Sequence, residues 1–136
     1  MNKIILVVED KLTEQQIAKQ VVLDDGYKII IADTLDKAES FIKKFNGKLS
    51  GIITDIHFPM TVGRRADEAN GLSIILTTLR HNIPCSVCTD DVGHGGEYIS
   101  LILQRLEMLI SREIPISGSK NWAEALQQLT KIMEVE

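Results

Sequence analysis

The amino-acid sequence predicts an α/β fold: a doubly wound, five-stranded parallel sheet covered by helices on both faces. Five short apolar runs alternate with five longer segments of helical period. The first run is apolar on both faces, as a central strand of a parallel sheet requires. The chain has 136 residues, which suits one domain spanning residues 1–136. Ligands of such sheets bind beyond the carboxyl ends of the strands, so the residues that follow each run are candidates for function.

The first predicted strand covers residues 3–8 and leads into a helix. Thr13 and Gln16 have the spacing of a capping box, which marks the start of a helix. Asp25-Gly26 is predicted to end this helix, because glycine readily adopts the left-handed backbone found after a helix. The side chains expected to point inward are Ile17, Val21 and Val22.

The second helix lies between strands predicted at residues 27–32 and 51–56. Asn46-Gly47 is expected to end it. Its apolar residues recur every three or four positions and so form a single stripe, which consists of Leu35, Ala38, Phe41, Ile42 and Phe45.

The second half of the chain predicts two more strands and three more helices. The strands cover residues 83–88 and 114–116, and Pro115 favours the sheet edge for the second of them because proline has no N–H to donate. Asn121 is the predicted N-cap of the last helix, with Glu124 at the capping-box position. The expected inward residues are Leu72, Ile75, Leu76 and Leu79 of the third helix, and Trp122, Leu126, Leu129, Ile132 and Met133 of the last.

The fourth helix, residues 98–110, is apolar over more than one stripe. Leu103 and Met108 fall to either side of its main stripe, which is predicted to consist of Tyr98, Ile102, Leu106 and Leu109. Two hypotheses follow. The additional apolar residues form a docking or homodimer surface, or they belong to a deeper core under the neighbouring loop.

Composition excludes several classes of protein. The chain has 15 basic and 19 acidic residues, a net charge of −4, and so lacks the positive field that direct nucleic-acid binding or an anionic membrane would require. The apolar runs are too short to span a membrane, and the N-terminus does not have the pattern of a signal peptide. A cytoplasmic location is therefore expected.

The side chains of the cysteines and histidines are predicted to have no metal or redox role. Cys85 and Cys88 are three residues apart within one predicted strand, so their side chains should point to opposite faces of the sheet. They are interpreted as buried, reduced thiols. His57, His81 and His94 lack metal-ligand spacing, and residues 93–96 are predicted to be a flexible loop because the lysine and hydroxyl of a phosphate-binding loop do not follow.

Polar residues with complementary chemistry follow four of the five runs. Three carboxylates brought together at one edge repel one another, and a bound cation would offset that cost. Ligands that are all oxygen suit a hard ion such as Mg²⁺. The residues concerned are Glu9 and Asp10 after the first run, Asp55 near the end of the third, Thr89 after the fourth and Lys120 after the fifth.

The sequence resembles the receiver domains of two-component response regulators, of the CheY-like kind, over essentially its whole length. Residues 5–10, Ile-Leu-Val-Val-Glu-Asp, are similar to the first strand of receivers with its acidic pair. Residues 52–59, Ile-Ile-Thr-Asp-Ile-His-Phe-Pro, are similar to the phospho-acceptor strand, with Pro59 four residues after the aspartate. The resemblance implies the flavodoxin-like strand order 2-1-3-4-5.

The same resemblance implies a role for each candidate residue. Asp55 would be the phospho-acceptor and would bind Mg²⁺ together with Asp10. Glu9 would bind the ion directly or through water, and the backbone carbonyl of His57 would complete the metal site. Thr89 and Lys120 would contact the phosphoryl group. The chain would be a stand-alone, non-enzymatic switch with at most slow self-phosphorylation and self-dephosphorylation. Its partners would be a histidine kinase or phosphotransfer protein and an unidentified output protein.

Three departures from the receiver pattern keep alternatives open. Asn121 stands where proline usually follows the lysine, Ser117 occupies the position of a common aromatic residue, and Asp90-Asp91 replaces a small residue. An alternative function is therefore a receiver-like interaction module that works without phosphorylation. A third hypothesis, a phosphohydrolase with Asp55 as nucleophile, lacks the usual second carboxylate, since position 57 is His57.

Two segments beside the predicted site are longer than in a minimal receiver, residues 60–70 and 90–114. Arg64 and Arg65 in the first segment are expected to belong to a solvated loop, with contact to phosphoryl oxygens or to a partner's acidic groups as the alternative.

Overall fold

The computed structural model describes residues 3–66, 68–90 and 96–135. Among these residues, five strands alternate with five helices, which confirms the predicted α/β class. The elements are β1 (Ile4–Val8), α1 (Leu12–Asp24), β2 (Lys28–Ala32), α2 (Leu35–Lys44), β3 (Leu49–Thr54), α3 (Gly71–Arg80), β4 (Cys85–Cys88), α4 (Gly96–Ile110), β5 (Ile116–Ser117) and α5 (Trp122–Val135). Residues 93–95 of the predicted loop at 93–96 lie outside the described residues, and so does Asp91.

The sheet is parallel throughout and has the order β2-β1-β3-β4-β5, which confirms the flavodoxin-like order. Val8 at the end of β1 pairs with Ala32 of β2 and Thr54 of β3, so the three strands end level with one another. This alignment places the residues that follow these strands side by side.

The fifth strand lies at the sheet edge, as the sequence predicted, but it is shifted along the chain from residues 114–116. Pro115 has no N–H, yet its carbonyl accepts a hydrogen bond from the Val87 N–H at 2.8 Å. The ladder therefore begins at that carbonyl and continues through Ile116 and Ser117.

Apolar side chains cover the sheet on both faces, because alternate residues of a strand point to opposite sides. On one face, Leu6 and Ile52 pack with residues of α2 and α3; on the other, Val7 and Ile53 pack with residues of α1 and α5. A third cluster joins β4 to α3 and α4. Cys85 belongs to this third cluster whereas Cys88 faces α1 and α5, so the prediction of buried thiols on opposite faces is confirmed.

The predicted start of the first helix is wrong, and its predicted inward face is right at Val21 and Val22 but wrong at Ile17. The helix begins at Leu12 and its N-cap is Lys11, whose carbonyl accepts from the Gln15 N–H, so Thr13 is not the cap. Ala18 and Val22, one helical turn apart, face the core, and Ile17 is half exposed. Ile17 lies about 100° around the helix from Ala18, and the small alanine is the residue that packs on the sheet.

The inward face of α3 agrees with the prediction at Leu72, Ile75 and Leu79 but not at Leu76, and the face of α4 is rotated from the prediction. In α3, Ile74 is buried while Leu76 is 56% exposed. In α4, Leu103 is 1% exposed and Leu109 is 82% exposed, because α4 packs through a different stripe. That stripe consists of Ile99, Leu103, Leu106 and Ile110. The side chain of Tyr98 lies outside the described part of the chain.

The second and last helices agree with prediction. Leu35, Ala38 and Ile42 of α2 are buried. At the start of α5, the Asn121 Oδ1 accepts a hydrogen bond from the Glu124 N–H at 3.0 Å, which confirms the N-cap. Within the described residues, no helix combines the length and the apolar character needed to cross a bilayer.

Candidate functional site

All the predicted site residues lie at the carboxyl edge of the sheet. Asp55 follows β3 directly, and its N–H donates to the Val8 carbonyl at 3.0 Å, so the ladder between β1 and β3 continues up to the carboxylate. Glu9 is held in the same way by the Ala32 carbonyl. Thr89 follows β4 and is buried. The backbone therefore fixes each side chain where a rigid strand ends.

Three carboxylates converge at this edge. One oxygen from each of Glu9, Asp10 and Asp55 lies within 4.8 Å of the others. Glu9 is fully buried, Asp55 is nearly so, and Asp10 is partly exposed. The carboxylate oxygens thus lie close together, and the Asp10 carboxylate is accessible to solvent. Such a set of oxygen ligands fits a hard cation such as Mg²⁺.

The Lys120 ammonium lies between two of these carboxylates. Its Nζ donates to the Asp55 Oδ2 at 2.8 Å and also contacts the Glu9 Oε1. The lysine side chain is only 11% exposed. One cation thus offsets part of the repulsion between two buried anions, and the group as a whole keeps an excess of negative charge.

The burial of these groups shifts their ionisation. Desolvation raises the pKa of Glu9 and of Asp55, against the opposing effect of the nearby Lys120 charge. For Lys120, burial alone would lower the pKa, but the charges of Asp55 and Glu9 outweigh it and raise the pKa above its usual value. The lysine therefore stays charged, and the carboxylates gain from any additional positive charge.

The backbone behind Asp55 is clamped by close contacts. The Asp55 Oδ1 accepts from the Ile56 N–H at 2.8 Å, and the Ile56 carbonyl accepts from the Gly71 N–H at 2.8 Å. A Cβ at position 71 would lie 2.1 Å from the Asp55 carbonyl oxygen, so only glycine allows α3 to begin this close to the site. The Asn70 Nδ2 adds a bond to the Phe58 carbonyl at 2.7 Å.

The longer segment after β3 is tied to α2 at its start. The Pro59 and Met60 carbonyls accept from the first two N–H groups of α2, those of Leu35 and Asp36. Farther along, Arg64 is exposed and its guanidinium lies 3.8 Å from the Glu68 carboxylate on the surface. This arrangement matches the solvated-loop interpretation for Arg64.

Lys120 has an unusual backbone. Its φ is +52°, in the left-handed region that non-glycine residues seldom adopt. Its N–H donates to the Thr89 carbonyl at 3.2 Å, and the Thr89 N–H in turn donates to the Ser117 carbonyl. These hydrogen bonds hold the Lys120 backbone beside the residue that follows β4, although Asn121, not proline, follows the lysine.

Sequence reasoning missed one neighbour of Lys120, Trp122, and the hydrogen-bond partner of that neighbour, Glu14. The Trp122 ring lies beside the ammonium, with the Nζ 5.5 Å from the ring centroid. The indole N–H of Trp122 donates to the Glu14 carboxylate at 2.9 Å. The sequence predicted Trp122 only as a core residue of α5. The available signal was that a buried tryptophan needs a partner for its N–H.

His57, whose carbonyl was predicted to bind metal, lies two residues after Asp55 in a bend and is partly buried. Ser117 is fully buried, and within the described residues its hydroxyl has no hydrogen-bond partner.

The fold corresponds to that of signalling receiver domains. The structure is similar to a CheY-like response regulator receiver domain from Methanospirillum hungatei JF-1, with a TM-score of 0.68 and 19% identity over 99% of this chain and 96% of that one. The receiver domain of HemR from Leptospira biflexa gives a TM-score of 0.69 and 17% identity over 99% and 97%. The signal receiver domain of an HD domain-containing protein from Pseudomonas fluorescens Pf-5 gives 0.69 and 17% over the full length of both chains.

No family model and no curated protein matches the sequence. The structural similarity, at 17–19% identity, shows that the chain has the fold of response regulator receiver domains.

Proposed function

We propose that this chain is a receiver that accepts a phosphoryl group on Asp55. The observation that carries the proposal is the buried pairing of Asp55 with Lys120 beside Glu9 and Asp10, at the sheet edge where parallel α/β folds bind ligands. The receiver-type fold of the described residues supports it.

The proposed reaction is a phosphoryl transfer. A carboxylate oxygen of Asp55 attacks phosphorus and forms an O–P bond as the bond to the donor breaks, and the electron pair leaves with the donor group. The donor would be the phosphohistidine of a histidine kinase or phosphotransfer protein. The Lys120 ammonium would neutralise one phosphoryl oxygen, and the Thr89 hydroxyl would donate to another.

Glu9, Asp10 and Asp55 would hold Mg²⁺ together with the His57 carbonyl. The ion would supply positive charge that lowers the repulsion between the attacking carboxylate and the phosphoryl oxygens. This chain's own contribution is to bury two of the carboxylates and to leave Asp10 accessible.

Phosphorylation would switch a protein-interaction surface. An added phosphoryl group brings close to two negative charges to a buried site, so Thr89 and Lys120 would move toward it and shift the adjoining loops. On α4, Leu101, Met108 and Leu109 are exposed, which makes this helix the candidate surface for an output protein or for a homodimer.

A second candidate is a receiver-like interaction module that works without phosphorylation. Lys120 already pairs with both buried carboxylates, so the site is electrostatically satisfied in part without a ligand. Ser117 also gives the site no aromatic side chain at the position that many receivers use for switching.

The two functions differ in one measurement. Incubated with a small acyl phosphate and Mg²⁺, the protein is expected to gain the mass of one phosphoryl group, and peptide mapping is expected to place it on Asp55. Omitting Mg²⁺ should reduce the labelling strongly. An unchanged intact mass under these conditions would favour the interaction module.

The carboxylate cluster makes a prediction about metal binding. Asp10→Ala removes the accessible carboxylate and should weaken Mg²⁺ binding about tenfold or more, measured by NMR titration. Asp25→Ala is the matched control, because Asp25 is exposed at the other end of α1. Equal Mg²⁺ affinity in the two variants would mean that Asp10 is not a ligand.

A further inference from the structure

Trp122 is the chain's single tryptophan, and it is placed to act on the site that Lys120 serves. Its side chain is 2% exposed, and it packs in the cluster that joins α1, α5 and the sheet. The Lys120 ammonium lies 5.5 Å from its ring centroid. An ammonium near the face of a tryptophan is attracted by the negative charge of the π system, more strongly where water is excluded.

Glu14 fixes the ring itself. Its carboxylate accepts the indole N–H at 2.9 Å from the first turn of α1, 108 residues away in sequence. This bond is charge-assisted, and it sets the rotation of the ring relative to the lysine. Helix α1 starts three residues after Glu9, and two hydrogen bonds join its start to that residue. The Lys11 N–H donates to the Glu9 carboxylate, and the Gln15 side-chain amide donates to the Glu9 carbonyl.

We propose that Trp122 and Glu14 are positioning residues for Lys120. Glu14 holds the indole, and the indole face holds the ammonium beside Asp55 and Glu9. The left-handed backbone of Lys120 fixes only the start of its long side chain, so the ring supplies the constraint near the charged end. An effect of Trp122 and Glu14 on phosphoryl transfer rests on the proposed function. Their effect on the position of Lys120 before any transfer rests only on the contacts described above.

The first test needs no phosphorylation. The single tryptophan gives one indole N–H signal in a ¹H–¹⁵N spectrum. Lys120→Met and Glu14→Gln should each move this signal, and Glu14→Gln should also accelerate its hydrogen exchange. Glu39→Gln is the control, since Glu39 is exposed on α2. An indole signal that neither variant moves would overturn the proposal.

The second test measures the initial rate of labelling by an acyl phosphate with Mg²⁺. Trp122→Leu is expected to lower the rate about tenfold, and Trp122→Phe, which keeps a ring but loses the bond to Glu14, should lower it less. In a Lys120→Met background, Trp122→Leu should have no further effect. A similar loss in that background would mean that Trp122 is merely structural.

A double variant separates the role of Glu14 from a general effect of its charge. Glu14→Gln should slow labelling in the wild-type protein but not in Trp122→Leu, whereas a purely electrostatic effect would persist there. If wild-type Asp55 takes no phosphoryl group, the proposed function fails, and the indole signal alone decides whether Trp122 and Glu14 hold Lys120.

Discussion

Asp55→Asn is expected to abolish phosphoryl labelling. The amide oxygen is neutral and a poor nucleophile, so no stable O–P bond forms. Asparagine has nearly the same shape, and its oxygen can still accept the hydrogen bond from the Ile56 N–H. Lys120 keeps its second partner, Glu9. The fold should therefore persist while the reaction is lost, as measured by intact mass and by the circular dichroism spectrum.

Asp25→Asn is the control for this substitution, because it makes the same chemical change at an exposed position. It should label at the wild-type rate. Labelling of Asp55→Asn to the wild-type stoichiometry would contradict the assignment of the acceptor, and peptide mapping would then identify the residue that is used.

Most of the fold could be predicted, because the spacing of apolar residues along the sequence distinguishes strands from helices. Runs such as residues 3–8 alternate with segments of helical period, and parallel order then follows from the connections. The same logic brings Glu9, Asp55 and Thr89 to one edge, since each directly follows a strand. The location of the candidate site is thus a consequence of topology.

The inward faces of the helices were harder to predict, because packing against neighbouring elements chooses between stripes that differ by one residue position. The apolar residues of α4 fit two stripes nearly equally well, and the contacts with α3 and β4 select the one that contains Leu103 over the one that contains Leu109. The N-cap of α1 was missed for a similar reason. The Glu9 side chain bonds the Lys11 N–H, which is a contact from outside the helix.

The contact between Trp122 and Glu14 has no local signal at all. Both residues fit ordinary helical roles, one in the core of α5 and the other in the acidic first turn of α1. Only the packing of α1 against α5 brings them together. Long-range polar pairs of this kind are visible in a structure but cannot be predicted from the spacing of apolar residues in the sequence.

Gly71→Ala is expected to lower the free energy of unfolding by about 3 kcal/mol or more, measured by urea denaturation. A new Cβ would lie 2.1 Å from the Asp55 carbonyl oxygen and 2.6 Å from the Ile56 Cα. Both are backbone atoms held by the sheet and by the Gly71 N–H bond, so they cannot move aside cheaply. The displacement would also disturb Asp55, and phosphoryl labelling should fall with stability.

The direction of the change in stability distinguishes the steric clash at Gly71 from the effect of helix propensity. Alanine is favoured over glycine in a helix by about 1 kcal/mol, so propensity alone predicts that Gly71→Ala, at the first residue of α3, stabilises the protein. Gly63→Ala is the comparison, since that glycine has open space but a φ of +84° and should lose only about 1 kcal/mol from backbone strain. A Gly71→Ala variant as stable as wild type would mean that α3 starts farther from Asp55 than the structure places it, and the close backing of the acceptor aspartate would have to be abandoned.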